Sequence, residues 1–212
     1  MMTTGTGSTV FVVDDEDGMR SALRRLFGNA GFNVETFPGA REFLQAYSPE
    51  RPGCIVLDVR MPEMTGPDLQ KALTAQGIEI PIIFLTAYSN VPLAVDAMKS
   101  GAVDFLEKPF QDEILVERVG RAIELDVRMR EDRMRRAEAR HKLALLTVRE
   151  REVLDRVVAG KPTKTIAAEL NISVRTVDIH RTRIIEKTGT RSAAELLRLV
   201  MAAEGELSPN PI

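Results

Sequence analysis

Five polar residues stand at the ends of four short, strand-like runs, and their types suit phosphate chemistry. They are Asp14 and Asp15 after "VFVV", Asp58 after "CIVL", Thr86 after "IIFL" and Lys108 after "DFLE". A carboxylate can act as a nucleophile and become an acyl phosphate, while a lysine and a hydroxyl can hold the oxygens of the transferred group. Converging carboxylates also favour a hard cation such as Mg²⁺, because they repel one another without one. These residue types predict phosphoryl transfer, provided that the fold brings them together.

The elements that would position these residues alternate between strands and helices. Strands are predicted within residues 9–15, 32–37, 54–59, 80–87 and 102–110, and helices within 19–31, 40–47, 66–77, 91–101 and from about Asp112. This alternation predicts an α/β domain with a parallel sheet covered by helices on both faces. A flavodoxin-like, doubly wound five-stranded sheet of order 2-1-3-4-5 places the strand ends on one rim, where such sheets bind ligands.

Simpler explanations exist for several of these residues. Asp58 is also suited to capping a turn after its strand, and Phe105 to plain core packing. Tyr88 would line the site or lie exposed. An aspartate-nucleophile phosphatase needs a second acid two residues after the first, where this chain has Arg60, which argues against that enzyme class.

The motifs "VVDDE", "LDVRMPEMTG", "FLTAYS" and "GAVDFLEKPF" occur in this order and together resemble the receiver domain of two-component response regulators. The resemblance covers residues 9–123. It implies that Asp58 accepts a phosphoryl group from a phosphohistidine on a sensor histidine kinase. Its implied ligands for Mg²⁺ (or Mn²⁺) are Asp14, Asp15, Asp58 and the backbone carbonyl of Arg60. Its implied switch and phosphoryl-contacting residues are Thr86, Phe105 and Lys108.

A charged segment follows, residues 117–146, with no proline and one glycine. Its apolar residues do not sustain a heptad repeat, so a long coiled coil is not indicated. Its Arg, Glu and Ala content predicts a solvated helical linker that extends the fifth helix. We therefore expect a receiver domain at 8–123, a helical linker at 124–145 and a C-terminal domain at 146–206.

The C-terminal domain has the pattern of an all-α, four-helix unit. Thr147 and Glu150 form a capping-box pattern before the first helix. The next two helices, 163–170 and 174–188, are separated by the tight turn "NIS", in which Ser173 can cap the second. A short helix, a turn and a polar helix are typical of a helix-turn-helix motif.

The second helix of this motif has two predicted faces. At about 100° per residue, Val177 and Ile184 share a face that packs inward, and His180 lies near it as a packing or phosphate-contacting residue. The opposite face would meet base edges, and its flanks would contact phosphates. The candidate base-facing residues are Arg175, Asp178, Ile179 and Thr182, and the phosphate-contacting residues are Thr176, Arg181, Arg183 and Lys187.

Residues 146–203 resemble the LuxR-type DNA-binding domain, through a run from "LTVREREVLDRVVAG" to "IIEKTG". Together the two domains resemble the FixJ-like branch of the FixJ/NarL response regulators. The resemblance implies a transcription regulator, not an enzyme, that binds double-stranded DNA and becomes a homodimer on phosphorylation. RNA polymerase is a further expected partner.

Composition limits the remaining classes. The net charge is −2, so a nucleic-acid surface must be a local patch. The single cysteine excludes an internal disulfide, and no run approaches the length of a membrane span, so we expect a cytoplasmic protein with no membrane partner.

Two rival functions are also compatible with these residues. The first is a constitutive DNA-binding dimer with a structural receiver, which DNA binding without phosphate would favour. The second is an aspartyl-phosphate hydrolase, which turnover of a phosphate ester would favour.

Overall fold

The computed structural model describes residues 7–87 and 91–205, with the side chains of residues 91–94 excepted. Tyr88 and residue 206, the end of the predicted C-terminal domain, lie outside the described residues. The chain divides into two compact units, residues 1–129 and 130–212.

The first unit is built on a parallel sheet. Within the described residues, five strands form it in the order β2-β1-β3-β4-β5, which confirms the predicted order. The strands are β1 (Thr9–Val13), β2 (Asn33–Phe37), β3 (Gly53–Asp58), β4 (Ile82–Thr86) and β5 (Asp104–Glu107). Strand β3 is central, so Asp58 lies next to Leu85 of β4 at the carboxyl edge.

Apolar residues cover both faces of this sheet. Every residue of β1, β3 and β4 is buried. Side chains alternate between the faces, so Phe11 and Phe84 belong to one core and Val12 and Ile83 to the other. This double burial accounts for the nearly continuous apolar strands, which are typical of parallel sheets between helices.

Helices connect the strands and supply the outer layers. They are α1 (Asp17–Asn29), α2 (Ala40–Ala46), α3 (Gly66–Ala75), α4 (Val91–Lys99) and α5 (Asp112–Ala144). On α1, Leu23 and Phe27 are buried, and on α3 Leu69 and Leu73 are buried. The spacing of four residues places each pair on one helix face, which packs on the sheet.

The start of β3 is held by a glycine and a buried acid. Gly53 has a φ of +153°, and a Cβ atom there would lie 1.9 Å from the carbonyl oxygen of Thr9. Its N–H donates to Oδ2 of Asp126, at 2.9 Å. Asp126 belongs to α5 and is fully buried. The strand that ends in Asp58 is therefore fastened to α5 at its other end.

Helix α5 contributes buried residues to each unit. Asp126 is buried in the first, and Ala139 and Leu143 belong to the core of the second. The solvated linker expected at 124–145 therefore carries buried residues near both ends, which its charged composition did not indicate. The bounds 8–123, 124–145 and 146–206 stay predictions.

The second unit contains α6 (Val148–Val158), α7 (Thr163–Leu170), α8 (Val174–Thr188) and α9 (Ala193–Glu204). Thr147 and Glu150 form the predicted capping box of α6, and Ser173 accepts a hydrogen bond from the Thr176 N–H to cap α8. Three residues separate α7 from α8, and the first, Asn171, is left-handed with a φ of +53°. The predicted helix-turn-helix arrangement is present.

Across residues 7–87 and 91–205, the structure shows no helix whose length and apolar character would let it cross a bilayer.

Candidate functional site

The carboxyl edge of the sheet brings together three charged side chains. Asp14 follows β1, Asp58 ends β3 and Lys108 follows β5. The Lys108 Nζ donates to Oδ1 of Asp58 at 2.7 Å and to Oδ2 of Asp14 at 2.9 Å. Asp58 is 8% exposed and Asp14 1% exposed. A lysine thus bridges two carboxylates at one partly buried point, where the sequence predicted convergence.

Backbone groups fix the orientation of both carboxylates. The N–H of Arg60 donates to Oδ2 of Asp58 at 2.7 Å, and the N–H of Glu16 donates to Oδ1 of Asp14 at 2.8 Å. Arg20 Nη1 donates to the main-chain oxygen of Asp14 at 2.6 Å. Arg20 was not among the predicted site residues, because nothing in its helical context marks it as a contact of the β1–α1 turn.

The surroundings raise the pKa values of both Asp58 and Lys108, for different reasons. Burial raises the pKa of the Asp58 carboxyl above its ordinary value, and the hydrogen bonds from Lys108 and the Arg60 N–H only partly oppose this. Burial also disfavours the charged form of Lys108, but its hydrogen bonds to Asp58 and Asp14 outweigh burial and raise its pKa. Lys108 therefore stays an ammonium beside a carboxylate that is more basic than an exposed one.

The other predicted residues surround this pair at different depths. Thr86 is 3% exposed at the end of β4, and its carbonyl accepts from the N–H of Lys108 at 2.6 Å. Phe105 is half-buried, with its ring centroid 6.3 Å from that of Phe84. The side chains of Asp15 and Arg60 are exposed at the rim. The roles assigned to these residues stay predictions.

The donor chemistry of this rim suits a hard divalent cation. Asp14 and Asp58 present buried carboxylate oxygens, and Mg²⁺ binds through one or two carboxylates while keeping several waters. Within the described ranges, however, no group of three or more His, Cys, Asp and Glu side chains is arranged to hold a metal ion. The two buried carboxylates are consistent with Mg²⁺, and the outward position of Asp15 leaves its predicted part in binding untested.

A glycine behind Asp58 is a site feature that was not among the predicted site residues. A Cβ atom on Gly66 would lie 2.4 Å from the carbonyl oxygen of Asp58 and 2.9 Å from the Phe84 ring. The Gly66 N–H donates to the carbonyl of Val59 at 3.0 Å. Helix α3 thus begins in direct contact with the Asp58 backbone. In the sequence, a glycine directly before Pro67 could have indicated a close backbone contact. The prediction treated it only as the start of a helix.

Helix α8 presents the predicted two faces. Val177 and Ile184 are 0% and 1% exposed, as their spacing predicted. Ile179 is 44% exposed, a large apolar side chain on the opposite face. The exposed candidates also include Arg175, Asp178, Thr182 and Arg183. This side of α8 is open for contact with another molecule.

Three predicted phosphate-contacting residues are already engaged within the second unit. The Arg181 Nη1 donates to Oγ1 of Thr163 at 3.0 Å, and the Thr176 hydroxyl lies 2.8 Å from that of Ser173. The Lys187 Nζ donates to Oε2 of Glu150 at 2.6 Å. Glu150 is 2% exposed. Lys187 therefore holds a buried acid in place, a role that its position near the end of a polar helix did not indicate.

Family comparisons agree with this geometry. Residues 10–120 match the response regulator receiver domain, and residues 144–200 match the bacterial regulatory proteins of the luxR family. The chain belongs to the response regulators. It combines a receiver with a LuxR-type DNA-binding domain and controls transcription.

Relatives of this response regulator share both domains. This chain is 43% identical to the transcriptional regulatory protein TdiR of Thauera aromatica over 97% of its own length and 90% of that protein. It is also 43% identical to the transcriptional regulatory protein FixJ of Rhizobium meliloti over 93% of this chain and 97% of that protein. The solved structure of the response regulator StyR is 44% identical, with a TM-score of 0.82 over 92% of this chain and 98% of that one.

The ion pair between the buried Glu150 and the partly exposed Lys187 is expected to make the stability of the DNA-binding domain of this response regulator sensitive to acid. Burial opposes ionisation of Glu150, but hydrogen bonds from Lys187 and Thr147 outweigh it and lower its pKa from 4.5 to about 2. A depressed pKa stabilises the fold above the unfolded value, so this contribution is present above pH 4.5 and lost as pH falls towards 2. The Glu150→Gln variant should unfold more easily at pH 7, by about 1–2 kcal/mol, and lose this part of the pH dependence.

Urea unfolding followed by circular dichroism at pH 3 and pH 7 measures this difference. Glu152→Gln is the control, because Glu152 lies on the same helix with a side chain that is 38% exposed. Equal losses of stability on acidification in Glu150→Gln and the wild type would contradict the assigned role of Glu150.

Proposed function

We propose that Asp58 accepts a phosphoryl group from a phosphohistidine on a sensor histidine kinase, and that this phosphorylation controls dimerisation and promoter binding. The observation that carries the proposal is the contact of Lys108 with both Asp58 and Asp14, at 2.7 and 2.9 Å, on the carboxyl edge of the sheet. A fixed ammonium beside an oriented carboxylate suits in-line transfer of a phosphoryl group.

The transfer needs a nucleophile, a leaving group and charge compensation. A carboxylate oxygen of Asp58 attacks phosphorus, the P–N bond breaks, and its electron pair leaves with the histidine of the kinase. Lys108, which donates to Asp58, would donate to a phosphoryl oxygen as negative charge develops there. The Arg60 N–H would keep Asp58 oriented. Asp14, Asp15, Asp58 and the Arg60 carbonyl would hold Mg²⁺, whose contribution when bound would be to neutralise negative charge.

The phosphoryl group would then act as the switch. It adds about −1.5 to −2 charges and three acceptor oxygens. Thr86, at the end of the adjacent strand, and Lys108 would be drawn towards it, and Phe105 would turn inward. The face around α4 and β5 would change with them and form the homodimer.

A dimer places two copies of α8 on DNA. Each copy would enter the major groove of one half of a pseudo-palindromic site. Arg175, Asp178, Ile179 and Thr182 would face base edges, and the exposed Ile179 is suited to contact a thymine methyl group. RNA polymerase would be the partner recruited at the promoter.

Sedimentation with a phosphate mimic tests the switch. The purified chain is expected to shift from monomer to dimer when Mg²⁺ and beryllofluoride are added together. Asp58→Ala is expected to stay monomeric under the same conditions. If the wild type binds the mimic and does not change its association, phosphorylation does not control assembly.

Alanine substitutions at two cationic residues of α8, Arg183 and Lys187, should have different effects on DNA affinity and on thermal stability. Arg183 is exposed, so Arg183→Ala should weaken binding to all DNA sequences alike and reduce the salt slope of binding by about one, without changing the melting temperature. Lys187 pairs with the buried Glu150, so Lys187→Ala should lower the melting temperature as well as DNA affinity. Fluorescence anisotropy at several salt concentrations and thermal unfolding separate the two effects. A Lys187→Ala protein that melts like the wild type would show that the pair is not structural.

A further inference from the structure

A buried amide joins helices α3 and α4. Gln70 lies on α3 and is 4% exposed. Its Nε2 donates to the carbonyl oxygen of Ala97 at 3.2 Å and to that of Ser100 at 3.1 Å. Both acceptors belong to the end of α4 or the residue just beyond it. Both N–H groups of this buried amide donate to the same end of α4. They restrain that end, because moving it away would leave buried donors unpaired, which is unfavourable.

The same end of α4 is closed by main-chain hydrogen bonds. The N–H of Ala102 donates to the carbonyl of Ala97, and that of Gly101 to Met98, each at 3.0 Å. The next N–H, of Val103, donates to the carbonyl of Ile82 in β4 at 2.9 Å. The carboxyl end of α4 is therefore tied to α3 through Gln70 and to the sheet through Val103.

The amino end of α4 is the end that lies nearer in sequence to the site. Helix α4 begins at Val91, five positions after Thr86. Thr86 ends β4, directly after Leu85, which pairs with Asp58. The carboxyl end of α4 is thus anchored to α3, whereas its amino end follows in sequence the strand that ends at the proposed phosphoryl site.

Resting on the phosphorylation switch proposed above, we infer that Gln70 is a positioning residue that makes the carboxyl end of α4 a pivot. Phosphorylation of Asp58 then displaces the amino end of the helix while the end held by Gln70 stays in place. Without Gln70, the displacement extends along the whole helix and into the turn at residues 100–103.

Amide hydrogen exchange measured on the full chain, with Mg²⁺ and with or without beryllofluoride, tests the pivot. The probes are the N–H groups of Gly101, Ala102 and Val103. In the wild type, the mimic should change their exchange rates by less than about twofold. In Gln70→Met, which keeps the side-chain length and removes both donors, it should change them by on the order of tenfold. Gln76→Met is the control, because Gln76 is an exposed glutamine at the end of the same helix, and it should behave like the wild type.

Two results would overturn the pivot. One is a tenfold response of the wild-type probes to the mimic, and the other is an equal, small response in Gln70→Met and the wild type. A wild type that binds the mimic and changes exchange nowhere would overturn the proposed switch itself. In that case the hydrogen bonds of Gln70 can still be tested without the mimic. Gln70→Met should then exchange the three probe N–H groups on the order of ten times faster than the wild type does.

Discussion

Asp58→Asn is expected to abolish incorporation of phosphate from a small-molecule phosphodonor, whereas the wild type takes up one phosphoryl group per chain. Asparagine keeps the shape of the side chain but lacks the anionic oxygen that attacks phosphorus. It also removes the carboxylate partner of Lys108, which lies 2.7 Å from Oδ1 of Asp58. Intact-mass measurement in the presence of Mg²⁺ gives the stoichiometry directly, so no kinase needs to be identified.

The control for this experiment is another acid of the receiver. Asp96 is exposed on α4, and Asp96→Asn should be phosphorylated like the wild type. Release of the group at alkaline pH would identify an acyl phosphate. Equal incorporation into Asp58→Asn would place the acceptor elsewhere and remove the basis of the proposed switch. Release of many phosphates per chain would instead indicate a hydrolase.

Gly53→Ala is expected to unfold the receiver, or to destabilise it by more than about 4 kcal/mol. The added Cβ would lie 1.9 Å from the carbonyl oxygen of Thr9, and the φ of +153° is itself unfavourable for alanine. Relief of the clash would separate β1 from β3 where Gly53 pairs with Thr9, and it would disturb the hydrogen bond from Gly53 to Asp126. Urea unfolding monitored by circular dichroism measures the loss.

The matched control is a glycine with open space around it. A Cβ on Gly120, within α5, would meet no atom within 4 Å beyond its chain neighbours and the backbone of its own helix, so Gly120→Ala should stabilise the helix by about 1 kcal/mol. Opposite signs for the two Gly→Ala substitutions are the expected result. A Gly53→Ala chain as stable as the wild type would mean that β1 and β3 can shift apart at little cost.

Much of the fold could be predicted because it depends on local periodicity. The apolar runs of β1, β3 and β4 are continuous since both faces of the sheet are covered, and this marks them as parallel strands. The inward face of α8 followed from the seven-residue separation of Val177 and Ile184. Convergence of Asp14, Asp58 and Lys108 followed from the sheet order, since parallel strands end at one edge.

The contacts that escaped prediction join residues far apart in the chain. Asp126 is buried against Gly53 from 73 positions away, and Lys187 reaches Glu150 across 37. Local patterns place each of these charges on a solvated helix face, since charged residues usually lie there. Only the packed structure shows that a neighbouring element leaves a donor or an acceptor to be satisfied.

The burial of Cys54 has a practical consequence. It is the single cysteine of the chain and lies fully buried in β3, between β1 and β4, where burial raises the pKa of its thiol. A thiolate-seeking dye should therefore leave the folded protein unmodified. One cysteine introduced at exposed Asp96 would then carry a fluorescent or spin label alone, without removal of the native thiol. Reaction of the wild-type chain with the same dye would report the opening of the centre of its sheet.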